Sequence, residues 1–309
     1  LGIKTDKSFA RTGETGEFSN GVFEEFSTVV DIRYIIGKNY YQKRDFTNAL
    51  FQYQRAYDYT KRFEVSTSLT AKIAYNLGVS LRQKGFYNES IPYLEEAHHY
   101  FKTHNDLKTL AYTLFEKGIS YKNAGKFEEA AKCFSESKVI LETLELKSLH
   151  VILQHTVATE ITLLEDPALA EEQLLDCLEM IRNDHNPQRE LLICTKLVRV
   201  HMHTSAQDKQ LEYLQRAERL IQDHQLEATV EAAEYYKMLA MNFIRMNQFN
   251  DVFEYALKSS ELFGKMGLVI DQLESLQLVA EAYELVGNYK MALSYERLCK
   301  EIALDLRKG

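Results

Sequence analysis

The sequence predicts an all-α chain wound as a right-handed superhelical solenoid of about seven helix pairs, and three observations carry that prediction. Leu, Ala, Glu, Lys and Gln, all favourable in helices, are abundant, whereas three prolines and 13 glycines in 309 residues are too few turn-formers for an all-β chain. Residues 74–97, AYNLGVSLRQKGFYNESIPYLEEA, align with 114–137, LFEKGISYKNAGKFEEAAKCFSES. Gly78 matches Gly118, Gly85 matches Gly125, Tyr87 matches Phe127 and Ala97 matches Ser137. A small first position then recurs at Gly37, Gly78, Gly118, Ala158, Val198, Ala240 and Ala280, a period of 40 to 42 residues with one β-branched exception.

A small residue, a turn glycine, an aromatic two later and further small positions are the tetratricopeptide order. The first small residue lets the two helices of a pair approach closely. The glycine ends the first helix because it takes a left-handed cap without steric cost. The aromatic is expected to plug the gap between the helices. Repeat one follows with Phe46, Ala49, Tyr53 and Ala56. In repeat two Asn88 is expected to cap the second helix, with Glu89 in its first turn and Pro92 early in it. Asp166 before Pro167 opens the second helix of repeat four. Repeats four and five are degenerate, keeping Ala170 and Cys177, then Leu214 and Ala217. Phe249 and Tyr289 mark the turns of repeats six and seven. The period exceeds the plain unit of ~34 residues, so the helices are longer and the groove is expected to be wider and deeper. Residues 1–21 are polar and contain glycine, and read as a linker or the remnant of an upstream domain; the repeats occupy 22–309.

Composition narrows the function. Lys plus Arg total 37 against 45 Asp plus Glu, a net charge of −8 without a basic block, which argues against direct nucleic-acid binding through this region. No apolar run approaches the ~18 residues of a membrane span, so no membrane partner is expected. Cys133, Cys177, Cys194 and Cys299 lie far apart without a CxxC pair, which suits a reducing cytoplasm and buried packing roles. There is no P-loop, dinucleotide fingerprint or HExxH. His201 and His203 stand two apart on different helix faces, and His98 and His99 are adjacent, so no metal and no cofactor are expected. An active site of the chain's own is not expected either. Gly13/Gly16 and Gly264/Gly267 read as turns.

A binding groove is the remaining reading. In such a solenoid the first helix of each pair lines the concave wall. Inward residues lie three before the small position, one after it, and four and five after it. That register selects Tyr75, Arg82 and Gln83, then Lys122 and Asn123, His155, Thr159 and Thr162, Arg199, Gln277 and Glu281. Amides such as Asn76, Gln83 and Asn123 both donate and accept, which suits an extended peptide backbone. Arg82, Lys122 and Arg199 suit a terminal carboxylate or an acidic side chain. Acids concentrate at the C-terminal end.

The run AYNLGVSLRQKGFYNESIPYLEEA resembles the YNIG-type repeat of the Rap proteins of Bacillus and its relatives, and MLAMNFIRMNQFNDVF (238–253) is similar to another Rap-type repeat. The resemblance covers roughly residues 22–305 and extends to the wider Rap, NprR and PlcR group. It implies a cytoplasmic receptor for a short linear signalling peptide, most like an NprR-type regulator lacking its helix-turn-helix domain. It implies transcription or sporulation-phosphorelay control, a response regulator as a candidate second partner, and a homodimer or higher oligomer. Asn76 and Asn242 are the positions it matches to peptide-backbone contacts, with Glu116 where the motif has Asn. Two alternatives stand beside it: a scaffold for a folded partner, and a phosphatase-type regulator that binds a response regulator.

Overall fold

The computed structural model describes residues 20–62, 67–182 and 185–308, and the side chains among them except those of 20–27 and 306–308. Of the leading segment 1–21 only Asn20 and Gly21 fall within it, and both belong to the first helix. The described residues form fourteen helices and no strand. They are α1 (Asn20–Gln42), α2 (Phe46–Arg62), α3 (Ser68–Gln83), α4 (Tyr87–Thr103), α5 (Leu107–Asn123) and α6 (Phe127–Thr143). Helix α7 runs through Lys147–Val157, a π turn at Ala158–Thr162 and Leu163–Glu165. Then follow α8 (Pro167–Ile181), α9 (Pro187–Thr204), α10 (Gln207–His224), α11 (Val230–Arg245), α12 (Phe249–Lys265), α13 (Val269–Leu285) and α14 (Tyr289–Lys308). Consecutive helices pack as seven pairs, and the pairs stack in order. The predicted helix pairing therefore holds throughout, including the two degenerate repeats, although a π turn interrupts the first helix of repeat four.

Close approach within each pair follows from the small position. A Cβ added at Gly37 would stand 2.6 Å from Tyr53, at Gly78 2.7 Å from Leu94, and at Gly118 2.6 Å from Phe134. The gap is thus filled by the residue sixteen after the small one; of the aromatics that follow the turn, Phe46, Tyr87 and Phe249 are half-buried, Phe249 against the Ala240 and Val252 core and Phe46 against Tyr41. Phe127 and Tyr289, expected as that plug, are 59% and 68% exposed.

A second device repeats in the later small position. Ser137 donates to the Ala111 carbonyl at 2.9 Å and Ser259 to the Ala233 carbonyl at 2.9 Å, while the Cys177 thiol points to the Val151 carbonyl at 3.8 Å. Each bond ties the second helix to the first of its own pair. All four cysteines are buried and unbridged, and burial pushes the thiols up, Cys177 and Cys194 to about 12.

Turns end in left-handed residues. Arg44, Gly85, Gly125, Ser205, Asn247 and Gly287 hold positive φ within pairs, and Asn105, Glu145, His185, Gln225 and Gly267 hold it between pairs. At Gly85 the Phe86 amide reaches back to the Leu81 carbonyl at 2.9 Å, the wrapped hydrogen bond that closes a helix end on a left-handed residue. Repeat four does without one: Asp166 accepts from the Ala168 and Leu169 amides and Pro167 starts α8, as expected. Asn88 does not cap α4. That helix begins at Tyr87, its N-cap residue is Phe86 without a side-chain bond, and Asn88 lies inside the first turn.

The superhelix closes on itself. A Cβ at Gly85, in the turn of repeat two, would lie 3.0 Å from Ile270 Cδ1 of repeat seven, and one at Gly267 would lie 3.3 Å from the Arg44 carbonyl. At the two unstacked ends α1 leaves Val29, Ile32 and Ile35 exposed, and α14 leaves Leu293, Leu298 and Leu304 exposed.

Candidate functional site

Closure turns the concave wall into a central cavity of about 560 Å³. The first helices α3, α5, α7, α9, α11 and α13 supply almost all of its lining, with Tyr87 from the start of α4 and Leu268 just before α13. Of the sequence-predicted residues, Arg82, Gln83, Lys122, Asn123, Arg199, Gln277 and Glu281 are brought together there. These come from four helices, α3, α5, α9 and α13.

The other four lie off the lining. Glu116 sits beside the wall and holds Arg82, with Arg82 Nε 2.6 Å from its carboxylate. Tyr75 is largely buried next to Glu116 and Arg82, and burial followed by the Glu116 charge raises its hydroxyl pKa. The Asn76 amide donates to the Lys72 carbonyl at 2.7 Å and to the Tyr34 hydroxyl at 3.5 Å. Asn242 is buried, and its oxygen accepts from Gln210 of α10 at 2.7 Å.

Repeat four departs from the expected register. His155, Thr159 and Thr162, read as inward-facing, are buried among their neighbours, and Glu160 lines the cavity instead. The π turn is the cause: its wider winding carries Glu160 round to the groove. Glu160 then bridges two repeats, with Lys122 Nζ at 2.9 Å and Arg199 Nη1 at 2.9 Å. Burial opposes its charge, but Lys122, Arg199 and Lys196 outweigh that and hold the carboxyl down to about 2.

A second cluster centres on Lys237, which reaches Glu274 at 3.0 Å, Asp271 at 3.4 Å and Glu234 at 3.8 Å. These acids hold the ammonium charged despite its burial. Glu234 is pulled down against its own burial by Lys196 and Lys237, whereas burial leaves Asp271 raised. Lys196 stands between the clusters. Among the described residues no carboxylate lies within 4 Å of it.

Sequence reasoning missed Glu160, Lys196, Glu234, Asp271 and Glu274. A legible signal existed for three of them. Lys196 lies three residues before Arg199, and Glu234 and Glu274 lie three before Lys237 and Gln277, a spacing that continues the inward stripe one turn upstream. Nothing in the sequence announces the π turn. The arrangement offers alternating fixed charges, side-chain amides and, among the described residues, a lysine without a carboxylate within 4 Å, all facing one partly open cavity. Among the described residues no group of His, Cys, Asp or Glu is placed to hold a metal ion. No helix among them is long and apolar enough to cross a membrane.

No family model and no curated protein sequence matches the chain. Solved structures do. A Rap protein complexed with Competence and Sporulation Factor superposes with a TM-score of 0.70 at 14% identity, over 91% of this chain and 76% of that one. The Rap conjugation gene regulator of plasmid pLS20, in complex with the Phr peptide, gives 0.68 at 11% identity over 98% and 81%. The apo form of the quorum sensor NprR from B. thuringiensis gives 0.62 at 13% identity over 91% and 82%. The chain has the tetratricopeptide-type solenoid fold that these Rap and NprR proteins share. The likeness does not single out the NprR type.

Proposed function

We propose that the central cavity binds a short linear peptide and that the chain is the peptide-sensing part of a bacterial quorum-sensing regulator. The observation that carries this reading is a central, charge-lined cavity in a fold shared with a Phr-bound Rap regulator and the quorum sensor NprR. A peptide backbone needs paired donors and acceptors along its length, and Gln83, Asn123 and Gln277 supply them from α3, α5 and α13. Lys196, uncommitted between two ion-pair clusters, takes the ligand's carboxylate, and Glu281 its amino group or a basic side chain. Ligand contacts to both α3 and α13 favour the closed superhelix over an open one, and that differential is the signal passed on. A response regulator or an attached effector domain reads it. The chain has no catalytic role in this reading.

The test is calorimetry against a panel of synthetic penta- to heptapeptides. A hit is expected to saturate, and to weaken at least tenfold in Lys196→Glu, because the carboxylate then faces a like charge. If no peptide in the panel gives saturable heat, the reading fails.

A further inference from the structure

A second cavity, of about 220 Å³, opens on the outer side of repeats three and four. Helices α6 and α8 form its walls and α7 its floor. Its lining is mostly apolar, with Phe134, Leu153, Val157 and Ile161 as the main surfaces. Two polar atoms in it, His150 Nε2 and Gln173 Oε1, are buried without a hydrogen-bond partner. His150 Nε2 comes no nearer than 3.8 Å to Glu142. Buried polar atoms left unpaired cost free energy, so a ligand that satisfies them gains what the chain alone forgoes.

The mouth has its own chemistry. It continues into a shallow hollow that adds Glu142, Glu172, Asp176 and Glu179 against Lys138 as the lining cation. Among the described residues Glu172 and Asp176 have no ion-pair partner within 4 Å. The surroundings therefore specify an apolar head with a hydrogen-bond donor and a cationic tail. An apolar cavity of ~150 Å³ accommodates benzene, so the larger volume here suits two fused rings.

We propose that this cavity is a second ligand site, for a bicyclic aromatic amine, and that it communicates with the central cavity through the π turn. The ring N–H donates to Gln173 Oε1, the rings fill the space against Phe134 and Leu153, and the ammonium lies over Glu172 and Asp176. Val157 and Ile161 touch the ligand while Glu160, between them, holds Lys122 and Arg199 in the central cavity. Occupying the outer site stiffens the turn that positions Glu160. None of this depends on the central cavity's ligand being a peptide.

Tryptamine is the probe, and indole-3-acetate, with the same rings and the opposite charge, is its control. The chain contains no Trp, so indole fluorescence reports the probe alone. Expected is a saturable blue shift for tryptamine, with indole-3-acetate about tenfold weaker because its charge meets the acidic rim. Ala131→Phe and Ser135→Phe, both exposed on α6 and lining the cavity, each abolish the shift while leaving the circular dichroism unchanged. Tryptamine also slows amide hydrogen exchange across residues 157–162. The proposal is overturned by the absence of a saturable shift, by equal binding of the two probes, or by unchanged exchange in the bound chain. It is equally overturned if binding survives both Phe variants and disappears in Lys196→Glu, which places the probe in the central cavity.

Discussion

A methyl group added at Gly118 would stand 2.6 Å from the ring of Phe134, whereas one added at Gly125 would meet nothing within 4 Å. The two glycines are needed for different reasons, and their variants separate them. Gly118→Ala gains ~1 kcal/mol of helix propensity but overpacks the pair, and is expected to cost about 1–2 kcal/mol net. Phe134→Leu in the same chain should reduce that cost in a double-mutant cycle by urea denaturation. Gly125→Ala is expected to cost ~1 kcal/mol in either background, from backbone strain alone, and Gly125→Asn less, as Asn105 and Asn247 occupy the same conformation elsewhere. Acid sensitivity also belongs to this scale. Glu160 has its pKa depressed from 4.5 to about 2 in the folded chain, so its contribution is complete above 4.5 and is lost as pH falls towards 2. His155 is held neutral by burial, with its pKa lowered from 6.5 to about 3; the unfolded chain takes up that proton first, so stability declines from 6.5 downward. Thermal midpoints measured from neutral pH to pH ~3 should fall in two stages. Glu160→Gln should flatten only the lower one.

Helix ends show where local sequence is enough and where it is not. Asp166→Ala should destabilise by about 1 kcal/mol, since it removes the acceptor for two amides at the start of α8. Asn88→Ala should change stability by less than ~0.5 kcal/mol, because Asn88 makes no cap. Thermal melts of the two variants side by side check both. Asp166 was legible because a capping acid and an N1 proline are adjacent, a pairing with few other uses. Asn88 was misread because Gly85 ends α3 and α4 begins only two residues later, leaving no room for a separate capping residue. The serines of the later small position do more than stay small. Their hydrogen bonds to Ala111 and Ala233 need a partner helix in place, which no single-helix pattern reveals.

At the scale of the molecule, the contact between Gly85 and Ile270 decides whether a concave wall becomes a cavity. A ligand that touches both sides of that contact shifts the balance towards the closed form. Ile270→Asp is expected to raise the radius of gyration in small-angle scattering while leaving helicity and the unfolding midpoint nearly unchanged. A cooperative loss of helix in that variant would show that closure is part of the core and not a hinge.

The all-helical class, the seven pairs, the register of every small position and seven of the residues around the central cavity are legible in the residues alone. These depend on contacts inside one repeat or between neighbours, and such contacts leave a period in the chain. The place of Glu160, the closure of repeat two on repeat seven, and the outer cavity lined by α6, α7 and α8 emerge only once the repeats are stacked. Superhelical closure is the sum of small rotations over all the repeats, and a single π turn re-aims one helix face without any residue type to mark it. Periodicity records what each repeat does to the next, while the cavity depends on where the last repeat arrives.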